Sequence, residues 1–350
     1  MKSKHRINIP LDRFINLSLY DKKKGYYMKK NPFGKKGDFT TAPNISRLFS
    51  EMIAIWILSF WQNLGSPKNF NLIELGAGNG EMMKVMLESF KNFPNFLNSS
   101  KIFIFEKSPK LKKIQKEKLK KDKIIWLSNF STIKKKPTLF IANEFFDSIA
   151  IKQFIKINNV WFERFVSINN EESFFFDKKF NMKSFEKKIK FKISNNQNFI
   201  EYSKLGFNYI DIISKIIKKN RGGLLIIDYG TLKKKMNNTL QAISNQKYSN
   251  ILSDIGNSDI THNINFNLFK RVIEKKNYLK GITTTQRNFL IKIGIEQRAE
   301  IISKNLSFLK KADIFFRLKR LIDKNQMGNL FKVMLIKNKD NKFNLGFEND

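Results

Sequence analysis

From residue 70 to residue 230, short apolar runs alternate with stretches whose apolar residues recur at helical spacing. This pattern predicts a parallel sheet covered by helices. Asn71–Leu75 reads as a first buried strand, and Glu81–Phe90 as a helix with Met82, Met83, Met86, Leu87 and Phe90 at the 3.6-residue period. Lys101–Glu106 is the second expected strand, followed by a lysine-rich helix from Pro109 to about Lys120. Lys123–Leu127, Thr138–Ala142 and Leu224–Asp228 supply the third, fourth and fifth, the last preceded by the turn pair Gly222-Gly223. Leu330–Lys337 reads as a terminal strand. The expected fold is therefore α/β: a Rossmann-like core of mostly parallel sheet with helices on both faces.

Two segments interrupt this rhythm. The stretch between the fourth and fifth strands is far longer than one crossover helix needs. It holds strand-like Gln153–Val166, a second strand at Ser173–Phe176 and a helical Tyr209–Lys219, an inserted subdomain. A second insertion, rich in Asn and Ser, covers about 231–285 and runs into a helix at about Phe266–Lys275. The first 45 residues, with their Gly, Pro and Thr, read as a cap or lid and not as a sheet element. The expected division is thus a cap at 1–45, the first part of the core at 46–150, an inserted subdomain at 151–220, and the remainder of the core at 221–350. Met52–Trp61 is the most apolar run, about half of the roughly 20 residues that a bilayer crossing needs, and predicts a buried amphipathic helix. The opening MKSKHRINIP lacks a following apolar stretch, so no secretory signal is expected and the predicted location is cytoplasmic.

Composition narrows the chemistry. The chain has 350 residues, 41% of them hydrophobic, enough for a sizeable core. It has no cysteine, which removes disulfides and thiolate metal sites, and only His5 and His262, so no bound metal is expected. The net charge of +36 would attract nucleic acid, an anionic membrane or an acidic protein. Yet the lysines are spread through every segment, Arg is scarce, and Asn, Ile and Phe are inflated alongside Lys, as A/T-rich codons would produce. Runs such as Lys134-Lys135-Lys136 and Lys233-Lys234-Lys235 then read as solvated loops. Nucleic acid remains a possible partner that composition does not favour.

The strongest local signal is Asn71–Gly80, NLIELGAGNG: a buried strand ending in an acidic residue, then a glycine-rich turn opening a helix. Glycines permit close backbone approach to a ligand and conformations closed to other residues. Dinucleotide sites use GxGxxG. Here the glycines fall at 76, 78 and 80 and Glu81 follows, so that spacing fails. ExGxGxG is the pattern of class I methyltransferases, whose donor S-adenosyl-L-methionine carries a sulfonium and an amino acid group in place of a pyrophosphate. The candidate donor-site residues are Glu74, Gly76, Ala77, Gly78 and Gly80, with Glu106 at the end of the second strand to accept the ribose hydroxyls.

After the fourth strand comes Ala142-Asn143-Glu144-Phe145-Phe146-Asp147. In an open α/β sheet ligands bind beyond the carboxyl ends of the strands, so this segment faces the donor. Glu144 and Asp147, with two aromatic rings between them, suit a cationic acceptor: guanidinium pairs with carboxylates and stacks on rings. The alternative is that both carboxylates cap the following helix. Asp228-Tyr229-Gly230, closing the fifth strand, reads equally as acceptor pocket or strand-end turn.

Further blocks carry a family resemblance. Gly25-Tyr26-Tyr27 and the run from Asn31 through Gly37-Asp38-Phe39-Thr40-Thr41-Ala42-Pro43 resemble the N-terminal block of the MidA family, the mitochondrial complex I assembly-factor methyltransferases and their bacterial relatives. The resemblance continues through Ser46–Trp56, ELGAGNG, Glu106–Pro109, Asn143–Asp147, Ile227–Gly230, Asp259-Ile260-Thr261, Thr284-Thr285-Gln286 and Met327–Lys332, in the family's order. It implies a class I core with inserted subdomains, S-adenosyl-L-methionine as donor, and methylation of a protein arginine. For the mitochondrial members, in the matrix, it implies symmetric dimethylation of a complex I subunit. Asn143 matches a position beside the acceptor. Gly37, Thr40 and Thr41 fall in the N-terminal block, which is expected to lie over the donor. Asn44, Ala150, Arg287 and Gln246 depart from the family's usual residues, and the last two bear on substrate identity. An RNA or small-molecule methyltransferase, or an assembly factor that binds the donor without catalysis, are the readings left beside this one.

Overall fold

A computed structural model describes residues 6–30, 32, 41–133, 135–169 and 172–347. Seven strands make the central sheet: β1 (Phe70–Leu75), β2 (Ser100–Phe105), β3 (Ile124–Leu127), β4 (Thr138–Asn143), β5 (Gly222–Thr231), β6 (Leu279–Thr285) and β7 (Phe331–Asn338). Their order is β3-β2-β1-β4-β5-β7-β6, and a short piece at Ile264–Asn265 adds to the end of β5. β1 to β5 pair in parallel, whereas β7 runs antiparallel to both of its neighbours. Every residue of β1 is buried, as expected of a strand covered on both faces. Strand order reverses between β1 and β4, and the crevice beyond their carboxyl ends is where an open α/β sheet holds its ligand.

Two apolar layers cover the sheet. On one face lies the helix Arg47–Asn63, entered through Ser46, whose hydroxyl accepts the Leu48 amide hydrogen. It buries Trp56 and Phe60 completely and stacks them, with ring centroids 5.5 Å apart. On the other face, helices Lys204–Asn220 and Phe266–Glu274 pack Ile210, Ile213, Ile217, Phe269 and Ile273 over the same strands. The apolar run Met52–Trp61 is thus the buried helix its composition predicts. Among the described residues, no helix is long and apolar enough to cross a membrane.

The insertion after β4 differs from its sequence reading. Gln153–Val166 is not one strand but a hairpin of Lys152–Ile157 and Val160–Ile168. Asn158 and Asn159 turn the chain with φ of 46° and 63°, the two left-handed residues of a type I′ turn. Ser173–Lys179 takes one edge of Val160–Ile168, while Lys152–Ile157 and Ile7–Pro10 share the other. Ile7–Pro10 is therefore a sheet strand, and the expectation that the first 45 residues contribute none is corrected. A second small sheet, Gln241–Ser244, Lys247–Ser249 and Asp259–Thr261, forms in the segment after β5. Between β6 and β7 the chain adds helices Gln286–Lys292, Ile295–Ser303 and Phe308–Ile322, which the sequence reading did not resolve.

Candidate functional site

Leaving β1, the chain turns through Gly76, Gly78 and Gly80 with φ of 66°, 52° and 76° before entering the helix Glu81–Phe90. The left-handed region costs an L side chain roughly 1–2 kcal/mol per residue. At Gly76 there is also no room, since a Cβ there would sit 2.8 Å from the Phe145 ring. The Gly80 Cα instead faces Gln115 and Leu119, so Gly80 shapes the turn and does not wall the crevice.

The crevice has two adjoining parts that share Gly76, Gly78 and Glu144. One, of about 470 Å³, is lined by Phe105, Glu106, Lys107 and Leu111 after β2, by Phe145 and Ser148 after β4, and by Tyr20 and Tyr27 from the N-terminal segment. The other, of about 370 Å³, is lined by Thr41, Pro43, Asn44, Glu74, Ala77, Asn79, Met82 and Asn143. The structure thus brings Glu74, Gly76, Ala77, Gly78, Glu106, Thr41, Asn143 and Glu144 to one place from four parts of the chain. Gly37 and Thr40 lie outside the described residues.

Glu106 is held by both carboxylate oxygens. Oε1 accepts the Ser108 amide hydrogen at 2.9 Å and Oε2 accepts Gln115 Nε2–H at 3.1 Å. Gln115 also donates to the Gly78 carbonyl and accepts from the Trp126 indole, each at 2.9 Å, so one glutamine locks the glycine turn to the acidic strand end. The Lys107 amide adds a third donor, and a carboxylate has about four acceptor sites, so room remains for a ligand hydroxyl. Glu74 is buried, and its Oε2 has no hydrogen-bond partner among the described residues; the same holds for Asn143 Oδ1. Burial, with the Glu106 charge adding to it, pushes the Glu74 carboxyl up to about 8.

Glu144 follows β4 with φ of 48° and lines both parts of the crevice. Burial raises its carboxyl to about 7 despite the hydrogen bond from Asn143 Nδ2 at 3.2 Å. Asp147 is buried behind it and lines neither part. Burial and then the Glu144 charge push its pKa upward, and its Oδ1 lacks a partner among the described residues. Of the two rings between them, Phe145 faces the crevice. Phe146 does not: it is buried in the core, edge-on to Phe269, so the idea that both rings hold an acceptor is corrected. Asp228 is wholly buried; its Oδ2 accepts the amide hydrogens of Phe146 and Asp147 at 2.9 and 3.3 Å, and its Oδ1 accepts that of Tyr229 at 2.9 Å. It anchors the turn after β4 and does not wall the pocket.

The sequence reading expected the N-terminal block to lie over the donor but did not name the contacts by which Tyr20, Tyr27 and Asp259 close the crevice. Ser108 Oγ donates to the Tyr27 carbonyl at 2.6 Å while accepting the Leu111 amide hydrogen, and the Tyr27 hydroxyl donates to Asp259 Oδ2 at 2.7 Å. Asn44 donates to Thr41 Oγ1 and accepts from Asn79, tying the N-terminal block to the glycine turn. Two departures from the family pattern are displaced from the site. Gln246 is exposed at a hairpin tip, and Arg287 donates to the Ile322 carbonyl. Neither lines the crevice, so neither bears on what it accepts.

Within a protein of net charge +36, this crevice gathers, among the described residues, the three carboxyl groups of Glu74, Glu106 and Glu144 against the one ammonium of Lys107. Burial pulls Lys107 below the usual lysine range. A sulfonium and an ammonium suit the unpartnered Glu74 oxygen, a ribose diol suits Glu106, and the glycine turn admits close approach of the ligand. S-adenosyl-L-methionine fits this donor set.

Fold and crevice together define a class I, Rossmann-like methyltransferase. Residues 52–284 match the Methyltransf_28 family, described as S-adenosyl-L-methionine-dependent methyltransferase, and the chain belongs to that family. It is 28% identical over 355 residues to the protein arginine methyltransferase NDUFAF7, mitochondrial, of Xenopus laevis, covering 94% of this chain and 80% of that one. To the Homo sapiens protein of the same name it is 26% identical, covering 84% of this chain and 72% of that one. A protein from Burkholderia thailandensis crystallised with bound S-adenosyl-homocysteine shares the fold at a TM-score of 0.80 and 21% identity, covering 98% of this chain and 89% of that one. These are the MidA-type relatives that the sequence blocks resemble.

Proposed function

We propose that this methyltransferase acts on a protein arginine, and that its substrate is a subunit of respiratory complex I. The observation that carries the reading is Glu144, a half-buried carboxyl that lines both parts of the crevice directly beyond β4. The relatives named as protein arginine methyltransferases support it.

When bound, S-adenosyl-L-methionine supplies an electrophilic methyl group on a sulfonium. Glu106 accepts the ribose hydroxyls. Gly76, Ala77 and Gly78 admit the amino acid portion, with Glu74, Asn143 and Thr41 as its polar neighbours. Glu144 pairs with the guanidinium and turns one nitrogen towards the donor, while the Phe145 ring offers a face for stacking. Orientation supplies much of the acceleration in such a displacement. The guanidinium nitrogen loses a proton on methylation, and a carboxylate with a pKa lifted to about 7 is well matched to accept it at neutral pH. Asp147, behind Glu144, is a positioning group whose own carboxyl is pushed up by burial and by the Glu144 charge.

The test is incubation of the purified protein with isotopically labelled donor and arginine-containing peptides from complex I subunits, read by mass spectrometry. Label on arginine, lost in Glu144→Gln while the donor still binds, supports the reading. Label on RNA or on a small metabolite instead, or unchanged turnover in Glu144→Gln, overturns it.

A further inference from the structure

The helix Phe308–Ile322 has two unlike faces. Leu318, Leu321 and Ile322 are buried against the core. The opposite side exposes Phe308 (82%), Leu309 (79%), Phe316 (64%) and Phe315 (41%), spaced so that they form a stripe along two turns. Ile301 on the preceding helix, Ile295–Ser303, is 67% exposed as well. Scattered exposed apolar residues are ordinary, but a run of phenylalanines on one helix face marks an interaction surface. Basic side chains alternate with this stripe. Between positions 300 and 324 there are seven lysines and arginines against three acidic residues, and Asp313 is already paired with Arg317 at 2.7 Å.

We propose that this helix docks the protein on an anionic lipid surface, lying in the plane of the headgroups. Aromatic and leucine side chains on one side with lysines beside them are the composition of an interfacial helix. The apolar groups insert to a shallow depth, while Lys311, Lys319 and Arg320, which flank the stripe, reach back to the lipid phosphates along their own methylene stems. The phenylalanines of this face line no cleft described above. A fluid headgroup layer needs no matching shape, whereas a protein partner would have to supply a complementary groove. The helix also communicates with the crevice: Arg317 donates through Nη1–H to the Ile45 carbonyl at 2.9 Å, at the end of the turn that carries Pro43 and Asn44. Docking would therefore bear on the rim of the donor site.

The experiment is co-sedimentation of the intact protein with vesicles of phosphatidylcholine alone and of phosphatidylcholine mixed with phosphatidylglycerol. Binding only to the anionic vesicles is expected. Phe308→Ser/Phe316→Ser should weaken it by roughly tenfold or more, since two buried phenyl rings are lost. Lys183→Glu/Lys187→Glu, a charge reversal remote from this face on the exposed side of the helix Met182–Ile189, should bind nearly as the parent does. Thermal melts of the variants establish that each is folded. No binding to anionic vesicles overturns the proposal, and so does an equal loss in the two double variants, which would reduce the effect to bulk charge. A concentration-dependent dimer in lipid-free buffer, broken by Phe308→Ser/Phe316→Ser, assigns the face to a second copy of this chain and equally overturns it.

Discussion

The carboxyl of Asp228, at the end of β5, accepts the backbone amide hydrogen of Phe146 at 2.9 Å, across 82 residues of sequence. With the Asp147 amide on the same oxygen, one side chain of the fifth strand fixes the turn that follows the fourth. The group that presents Glu144 to the crevice is thus built by a neighbour that never touches the ligand.

Asp228→Ala should leave those amides without an acceptor and destabilise the fold by about 2–3 kcal/mol, measured by denaturant unfolding. Asp228→Asn should be much milder. Burial, with the charges of Asp147 and Glu144 beside it, holds the Asp228 pKa well above the usual carboxylate range. An amide oxygen can take over the role of Oδ2 towards Phe146 and Asp147, so that only the Tyr229 contact is lost. If the two variants lose stability and kcat equally, the anchoring role is wrong.

Glu144→Gln should reduce kcat by about 10²–10⁴-fold, the usual contribution of a positioned acid or base. Donor affinity, measured by calorimetry, should change little. Loss of donor binding with kcat intact at saturation would move Glu144 out of the acceptor role.

Gly76→Ala should abolish donor binding while costing only about 1–2 kcal/mol of stability, because the left-handed conformation at 66° is strained and the added methyl meets the Phe145 ring. Calorimetric titration beside a thermal melt separates the two effects. Retained micromolar affinity would show that the ring yields and that the glycine is not required for closeness.

The donor should bind more tightly as pH rises from 6 to 8. A cationic ligand favours ionised Glu74, whose carboxyl stands at about 8, so the proton released on binding changes affinity by up to about tenfold per pH unit. S-adenosyl-homocysteine, lacking the sulfonium charge, should show a shallower dependence in the same titrations. Identical slopes for the two ligands would remove the sulfonium from contact with this carboxyl.

The ligand-free protein should show the opposite trend in stability. Folded Glu74 keeps its proton to about pH 8, whereas the unfolded chain releases it near 4.5. Between these values the folded state binds more protons, so its stability is greatest below 4.5 and declines as pH approaches 8. Thermal melts across this range should fall with pH, and Glu74→Gln should flatten the decline. A Glu74→Gln profile parallel to that of the parent would contradict the elevated pKa.

What could be read from the sequence follows from the range of the interactions involved. β1, the glycine turn and the helix Glu81–Phe90 are local: apolar periodicity and glycine spacing specify them within twenty residues, and the helix bounds agree residue for residue. Glu106 and Glu144 were legible because strand ends converge on one edge of an α/β sheet. The hairpin at Asn158-Asn159 was hidden because apolar alternation runs on through both arms, although the asparagine pair itself signals a turn. Tyr20, Tyr27 and Asp259 carry no local sign of their place. Their contacts span 81 to 232 positions, as with Ser108 to Tyr27 and Tyr27 to Asp259, and only the folded chain brings them together. The exposed phenylalanines of Phe308–Ile322 were hidden for another reason: apolar spacing tells that a helix has a face, not whether anything covers it.

The position of β7 has a bearing on biosynthesis. This strand, Phe331–Asn338, lies between β5 and β6, though both are made before it. While the chain emerges from the ribosome, β6 has no neighbour to pair with, and β5 shows a bare edge on the side opposite β4. Such an unpaired edge is a template for wrong pairings. The last strand acts as a keystone slid in from the end of the chain. Until it arrives, the sheet that aligns the carboxyl ends of β1, β4 and β5 is open on one side, so a ribosome-bound chain should hold an incomplete catalytic crevice until translation has passed residue 338.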